Sequence, residues 1–172
     1  MARLTLVEGP VGAGKTTFAR TLAEKQGATF LCLDDWFARL FLPDRPPGAD
    51  VAWYLERKAR CTGMIRDIAA SILNSGGPVV LELALLERER RRSFCAEMAP
   101  LASEFVIYVV DAARDVRRER VRLRNLERGD TWSVDLTDEM FERASDWWEP
   151  PDDDEYALFT IIDLDTASSA SS

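Results

Sequence analysis

Gly9-Pro10-Val11-Gly12-Ala13-Gly14-Lys15-Thr16 reads G-x-x-x-x-G-K-T, preceded by the apolar run Leu4-Thr5-Leu6-Val7 and followed by Thr17-Phe18-Ala19-Arg20-Thr21-Leu22. Strand, glycine-rich loop and helix in that order form a phosphate-binding loop. Its glycines let backbone N–H groups turn inward around the β- and γ-phosphates. The lysine reaches those phosphates as a point charge, and the threonine hydroxyl is left to ligate Mg²⁺. The start of the helix adds its positive dipole to the same anion. The expected ligands are ATP and Mg²⁺, with Gly9, Pro10, Val11, Gly12, Ala13, Gly14, Lys15, Thr16 and Thr17 around the nucleotide.

Strand and helix signals alternate along the rest of the chain. Residues 29–33 are a short apolar strand ending at Asp34-Asp35; residues 51–74 carry apolar side chains at helical spacing and close at Ser75-Gly76-Gly77-Pro78. Residues 78–82 form a third strand, 87–98 a charged helix, 105–110 a fourth strand ending at Asp111, and 115–127 an arginine-rich helix. Thr137 and Met140 frame the N-terminal cap of a helix reaching Trp147, and residues 159–163 make a fifth strand. Near-continuous apolar strands alternating with helices indicate a parallel sheet covered on both faces. The expected architecture is α/β: a three-layer P-loop NTPase fold with a five-stranded parallel sheet, nucleoside/nucleotide-kinase-like. It occupies a single domain over residues 1–165, with an arginine-bearing lid at about 114–135 and a frayed tail at 166–172.

A length of 172 residues suits one domain. The net charge of −8 speaks against non-specific nucleic-acid binding, which rests on neutralising phosphates with Lys and Arg. The absence of histidine excludes His bases, His-metal sites and Ser-His triads. Cys32, Cys61 and Cys95 are odd in number and lack metal-ligand spacing, as expected of reduced thiols in a cytoplasmic protein. No apolar run is long enough to span a bilayer, and the first leads straight into the phosphate loop, so neither a membrane anchor nor a signal peptide is expected.

Ligands of an open parallel sheet sit beyond the carboxyl ends of its strands. Four such ends carry the loop or an acid, at Gly9, Asp34-Asp35, Glu82 and Asp111, and are expected to converge on one crevice. Asp34 or Asp35, one strand over from the loop, suits the task of orienting an acceptor hydroxyl or taking its proton. Glu82 suits Mg²⁺, held through water. Arg120 and Arg124 share a helix face, suited to clamping the transferring phosphoryl or stacking on the adenine. Arg88 and Arg91 are placed to approach the acceptor from the opposite side, although arginine runs otherwise read as solvated faces. No N-K-x-D of guanine switches and no L-S-G-G of transporters is present, and the chain is short for a ring-forming ATPase with its helical lid domain. A compact kinase remains.

These residues resemble the small P-loop kinases grouped with zeta toxins, chloramphenicol phosphotransferase and the kinase half of polynucleotide kinase, and more closely a bacterial branch of AAA-type ATP-binding proteins. The resemblance runs from Leu4 to about Asp163 and rests on residues 9–17, Leu33-Asp34-Asp35, Val79-Val80-Leu81-Glu82 with Arg88 and Arg91, Arg120, Arg124-Asn125, and residues 140–155. It implies that Asp34 acts as base on the acceptor hydroxyl, that Arg120 and Arg124 contact donor phosphates and base, and that residues 149–155 border the adenine. Where relatives tend to have Asp before a Gly-aromatic pair, this chain has Glu82 and then Ala84-Leu85. Arg39 comes later than the arginine that polynucleotide kinases carry after the acidic pair, which speaks against a nucleic-acid 5′-hydroxyl.

The expected function is transfer of the γ-phosphate of ATP to a hydroxyl of a small cytosolic metabolite such as a nucleoside, sugar derivative or antibiotic. Catalysis is assigned to Lys15, Asp34, Arg120 and Arg124, the metal to Thr16 and Glu82, and the acceptor to Asp34, Asp35 and Arg88. Trp36, Trp53 and Tyr54 are candidates for its pocket. The alternatives are an ATP-hydrolysing regulatory module without an acceptor and a zeta-like nucleotide-sugar kinase toxin.

Overall fold

Five strands, β1 (Arg3–Glu8), β2 (Thr29–Cys32), β3 (Val79–Glu82), β4 (Glu104–Asp111) and β5 (Thr160–Asp165), pair in parallel in the order β2-β3-β1-β4-β5. The computed structural model describes residues 1–127 and 135–166. Seven α-helices appear among them: α1 (Lys15–Gln26), α2 (Leu33–Phe41), α3 (Val51–Asn74), α4 (Arg88–Met98), α5 (Arg114–Glu127), α6 (Asp138–Asp146) and α7 (Asp153–Leu158). This is the expected α/β fold with its five-stranded parallel sheet.

Side chains alternate across each strand, so one sequence feeds two cores. Leu4 and Leu6 of β1, Leu81 of β3 and Ile107 of β4 meet Ile65 and Leu73 of α3 and Phe94 of α4 on one face. Val7, Val80 and Val110 meet Ala19 and Ala23 of α1 on the other. All four residues of β3 are buried, which explains their unbroken apolar reading up to Glu82. The α3 bounds are those of the periodic pattern, with Asp50 accepting from the Trp53 N–H at 2.9 Å. Thr137 accepts from the Met140 N–H at 3.2 Å, the expected cap of α6.

Several expectations change. β2 ends at Cys32, and Asp34 and Asp35 occupy the first turn of α2, where acids favour the helix dipole, instead of the end of a strand. Because β3 lies between β1 and β2, that turn stands two strands from the phosphate loop and not one. Residues 153–158, which overlap the end of the segment 149–155 that the resemblance sets beside adenine, form α7, with Asp152 capping the Glu155 N–H at 3.2 Å. Thr166, assigned to the tail, is held: its N–H donates to Asp111 O and its hydroxyl to Ala13 O, each at 2.9 Å. Residues 167–172 of the expected tail lie outside the described residues, as do 128–134 of the expected lid. Asn125 joins the chain on either side of the latter, its Nδ2 donating to Leu136 O at 2.8 Å.

Candidate active site

The phosphate loop leaves β1 at the centre of the sheet and is braced by its neighbours. Gly9 (φ 145°) lies so close to β4 that an added Cβ would stand 2.0 Å from Val110 O. At Gly12 (φ 79°) it would stand 2.5 Å from Arg117 O of α5. Any side chain at either position forces strand or helix away. Gly14, left-handed, caps α1 without a side-chain acceptor, and no acid stands in the first turn. That helix end suits an anion. Lys15 folds back over the loop, its Nζ donating to Pro10 O at 2.8 Å.

Opposite the loop, Glu82 is buried at the end of β3. Its Oε1 accepts from the Thr16 hydroxyl at 3.0 Å and its Oε2 from the Cys32 thiol at 3.6 Å. Burial raises its pKa above the usual carboxylate range, against the pull of Lys15. A carboxylate and a hydroxyl side by side at the phosphate end of the loop are hard oxygen donors of the kind Mg²⁺ takes, so the residues fit that cation.

Asp34 is half exposed and ion-paired with Lys58 of α3 at 3.1 Å. Lys58 holds its carboxyl below the usual range, with smaller help from Lys15 and Arg124. Asp35 turns the other way, onto Arg20 of α1 at 2.9 Å. Arg124 is the exception on α5. Its Nε is buried without a hydrogen-bond partner, and burial lowers its pKa while Asp34 supports it. The other α5 arginines have partners: Arg114 and Arg118 bond Glu142, Arg122 bonds Asp138, and Arg117 reaches Val11 O at 3.0 Å. Arg120 donates to Thr166 Oγ1 at 2.7 Å, Thr166 O at 3.1 Å and Ala13 O at 3.4 Å, on the outer wall of the loop.

At the fourth strand end Asp111 accepts from the Ala112 N–H at 2.7 Å and meets Arg117 at 3.4 Å, and it lines the cavity beside Pro150 and Pro151. Arg91 does not approach an acceptor. It is fully buried, donates two hydrogen bonds to the Glu155 carboxylate at 2.8 Å, and sits 5.1 Å from the Trp148 ring. Arg88 lies against the following segment, its Nε donating to Pro150 O at 2.6 Å. Phe37, Trp53 and Tyr54 pack on one another over the core, with ring centroids 5.1–6.0 Å apart. Pro150 and Pro151, from the segment that the resemblance sets beside adenine, line a cavity of about 460 Å³ with Trp148, Tyr156 and Asp163.

Two site residues escape a reading of the sequence alone. Lys58 interrupts the row Tyr54, Lys58, Cys61, Ile65, whose spacing marks the inward face of α3, and a cation in such a row is the available signal. Glu8, directly before the loop, is fully buried, an acid closing an apolar strand.

Sheet order, loop and the Thr16–Glu82 pair define a kinase-like P-loop domain. The chain belongs to the AAA domain family, whose AAA_33 model matches residues 4–151. A shikimate kinase of Psychrobacter arcticus is 34% identical over 82 residues, covering 42% of this chain and 41% of that protein, so the chain spans less than half the length of this curated relative. Among solved structures, Chaetomium thermophilum Kti12 in complex with ADP-AlF3 superposes with a TM-score of 0.68 at 17% identity, covering 95% of this chain and 89% of that one. A gluconokinase from Sinorhizobium meliloti superposes with a TM-score of 0.63 at 20% identity, covering 96% and 83%. At these identities the structural likeness is one of fold. No helix among the described residues is long and apolar enough to cross a membrane, and the three cysteines are free and buried.

Proposed function

We propose that the protein transfers the γ-phosphate of ATP to a hydroxyl of a small metabolite. The observation that carries this reading is the pairing of opposites across the crevice: Asp34 lies in the field of Lys15 and Arg124, while Arg124 itself has no carboxylate partner among the described residues. A half-buried guanidinium whose Nε has no hydrogen-bond partner is poised for charge that arrives with the substrate.

Residues 9–17 cradle the triphosphate, and Lys15 exchanges Pro10 O for a phosphate oxygen. Thr16 and Glu82 would hold Mg²⁺, which supplies charge neutralisation at the phosphate oxygens. The acceptor oxygen bonds to the γ-phosphorus as the bond from that phosphorus to the β,γ-bridging oxygen breaks, releasing ADP. The hydroxyl proton passes to Asp34. Because Lys58 keeps that carboxylate weakly basic, Asp34 first orients the hydroxyl and takes the proton late, as a loose transition state allows. Arg124 stabilises the transferring phosphoryl, Arg120 steadies the loop at Ala13, and Asp35 frames the acceptor side with Arg20.

The shikimate kinase and gluconokinase among the similar proteins support a small hydroxylated acceptor. The test is transfer of labelled γ-phosphate from Mg·ATP to pooled sugars, sugar acids, nucleosides and hydroxylated carboxylic acids, with Lys15→Ala and Asp34→Asn as controls. A labelled small product lost in both variants is expected. Release of inorganic phosphate alone, insensitive to Asp34→Asn, would overturn the reading in favour of a hydrolysing module.

A further inference from the structure

The Glu8 carboxyl is fully buried at the end of β1, one residue before the phosphate loop. Its Oε2 accepts from the Leu85 backbone N–H at 2.9 Å, and its Oε1 is buried without a partner. An apolar side chain there would leave no orphaned oxygen, so what Glu8 holds is informative. It holds the turn between β3 and α4. In that turn Ala84 stands at φ 52°, a left-handed conformation that disfavours a residue with a Cβ, and Leu86 N–H bonds back to Ala84 O at 3.0 Å. Leu85 is gripped from two sides, its N–H by Glu8 and its carbonyl by Arg91 Nη1 at 3.1 Å. Arg91 is fixed in turn by the two hydrogen bonds it donates to the Glu155 carboxylate. The turn begins at Leu83, immediately after Glu82, whose Oε1 meets Thr16 at 3.0 Å.

We propose that Glu8 is a positioning residue for the divalent-cation site: through the Leu85 amide it holds the left-handed turn at Ala84 and thereby aims Glu82 at Thr16. This rests on the reading of Thr16 and Glu82 as the pair that holds Mg²⁺. A single strand end then serves both halves of the site, carrying the phosphate cradle forward from Gly9 and gripping the metal-side turn through Glu8. The charged and titratable groups facing Glu8 are Lys15, Arg91, Glu82 and Cys95. Burial outweighs the two cations and pushes the carboxyl up to about 8, which favours its protonated form, and glutamine is the close mimic of that form.

The test is calorimetric binding of ADP, once with excess Mg²⁺ and once in EDTA, to the full chain and to its Glu8→Gln, Glu8→Leu and Glu8→Asp variants. This readout needs no acceptor, so it stands even if the kinase reading fails. Glu8→Gln is expected to bind both forms as the parent does. Glu8→Leu is expected to lose about tenfold in affinity for Mg·ADP, equivalent to about 1.4 kcal/mol, while metal-free ADP changes by less than about twofold. Equal loss on both forms, or no loss on Mg·ADP, would overturn the proposal. Where Glu8→Leu does not fold, Glu8→Asp carries the test: it keeps the acid but withdraws it from Leu85, and an unchanged preference for Mg·ADP over ADP would count against positioning.

Discussion

Lys58 Nζ stands 3.1 Å from Asp34 Oδ1, joining the first turn of α2 to the inward row of α3. The pair sets the ionisation of the proposed acceptor-binding carboxylate. Lys58 lowers the Asp34 pKa, so removing the cation raises it. Since the ionised form orients the hydroxyl, Lys58→Met is expected to move the acid limb of the pH–rate profile to higher pH. Asp34→Asn is expected to cut transfer by about 10²–10⁴-fold, the usual weight of a general base, with nucleotide affinity held. Rates across the acid range, with nucleotide binding measured in parallel, check both; an acid limb unmoved in Lys58→Met would separate the pair from the chemistry.

Two arginines one turn apart on α5 should part company. Arg124 has an unpartnered buried Nε, whereas Arg120 ties Ala13 to Thr166. Arg124→Ala is therefore expected to leave Tm unchanged or slightly raised while lowering kcat by about 10²-fold or more, as for loss of a charge stabiliser. Arg120→Ala is expected to lower Tm and weaken nucleotide binding through the loop. Thermal scans beside steady-state rates decide it, and a reversal of the two patterns would exchange the roles.

Glu8 gives stability a pH dependence of definite sign. Its folded-state pKa of about 8 exceeds the ordinary 4.5, so the native state keeps a proton that the unfolded chain releases in between. Its contribution is complete below the unfolded value and is lost as pH rises through the folded one. Urea denaturation is expected to show stability falling from about pH 5 to about pH 8 in the parent and a flatter profile in Glu8→Gln. Parallel profiles would mean that Glu8 does not titrate in that window.

The Arg91–Glu155 pair is closed to solvent at both ends. Breaking such a pair from one side leaves an uncompensated buried charge, so Arg91→Met is expected to cost about 3–5 kcal/mol. Replacing both partners, Arg91→Met with Glu155→Leu, should recover most of it. Denaturant midpoints of the single and double variants measure this; additive losses would show that the charges act independently.

What could be read from the chain beforehand followed the range of each signal. The phosphate loop, the α3 periodicity and the Thr137 cap are local patterns, and the structure keeps their positions. Arginine roles were opaque for a physical reason. Arg88, Arg91, Arg120 and Arg124 carry the same charge in similar runs, and what separates them is a partner far away in sequence: Pro150, Glu155, Thr166, or, for Arg124, none among the described residues. Asp34 and Asp35 follow β2 as expected, but in the first turn of a helix and two strands from the loop, because an acid suits a strand end and a helix first turn equally and strand order is not a local pattern. Glu8 gave no periodic signal, since its hydrogen-bond partner Leu85 comes from the turn after β3, far away in sequence.

The placement of β3 between β1 and β2 also orders events in time. During synthesis the phosphate loop, Asp34 and Lys58 are made before Val79–Glu82. Until those four residues arrive, β1 and β2 have no common neighbour to pair with, and Thr16 has no Glu82. A half-made protein therefore carries the complete phosphate-loop sequence without its metal-side partner, and the Thr16–Glu82 pair can form only after β3 has been translated.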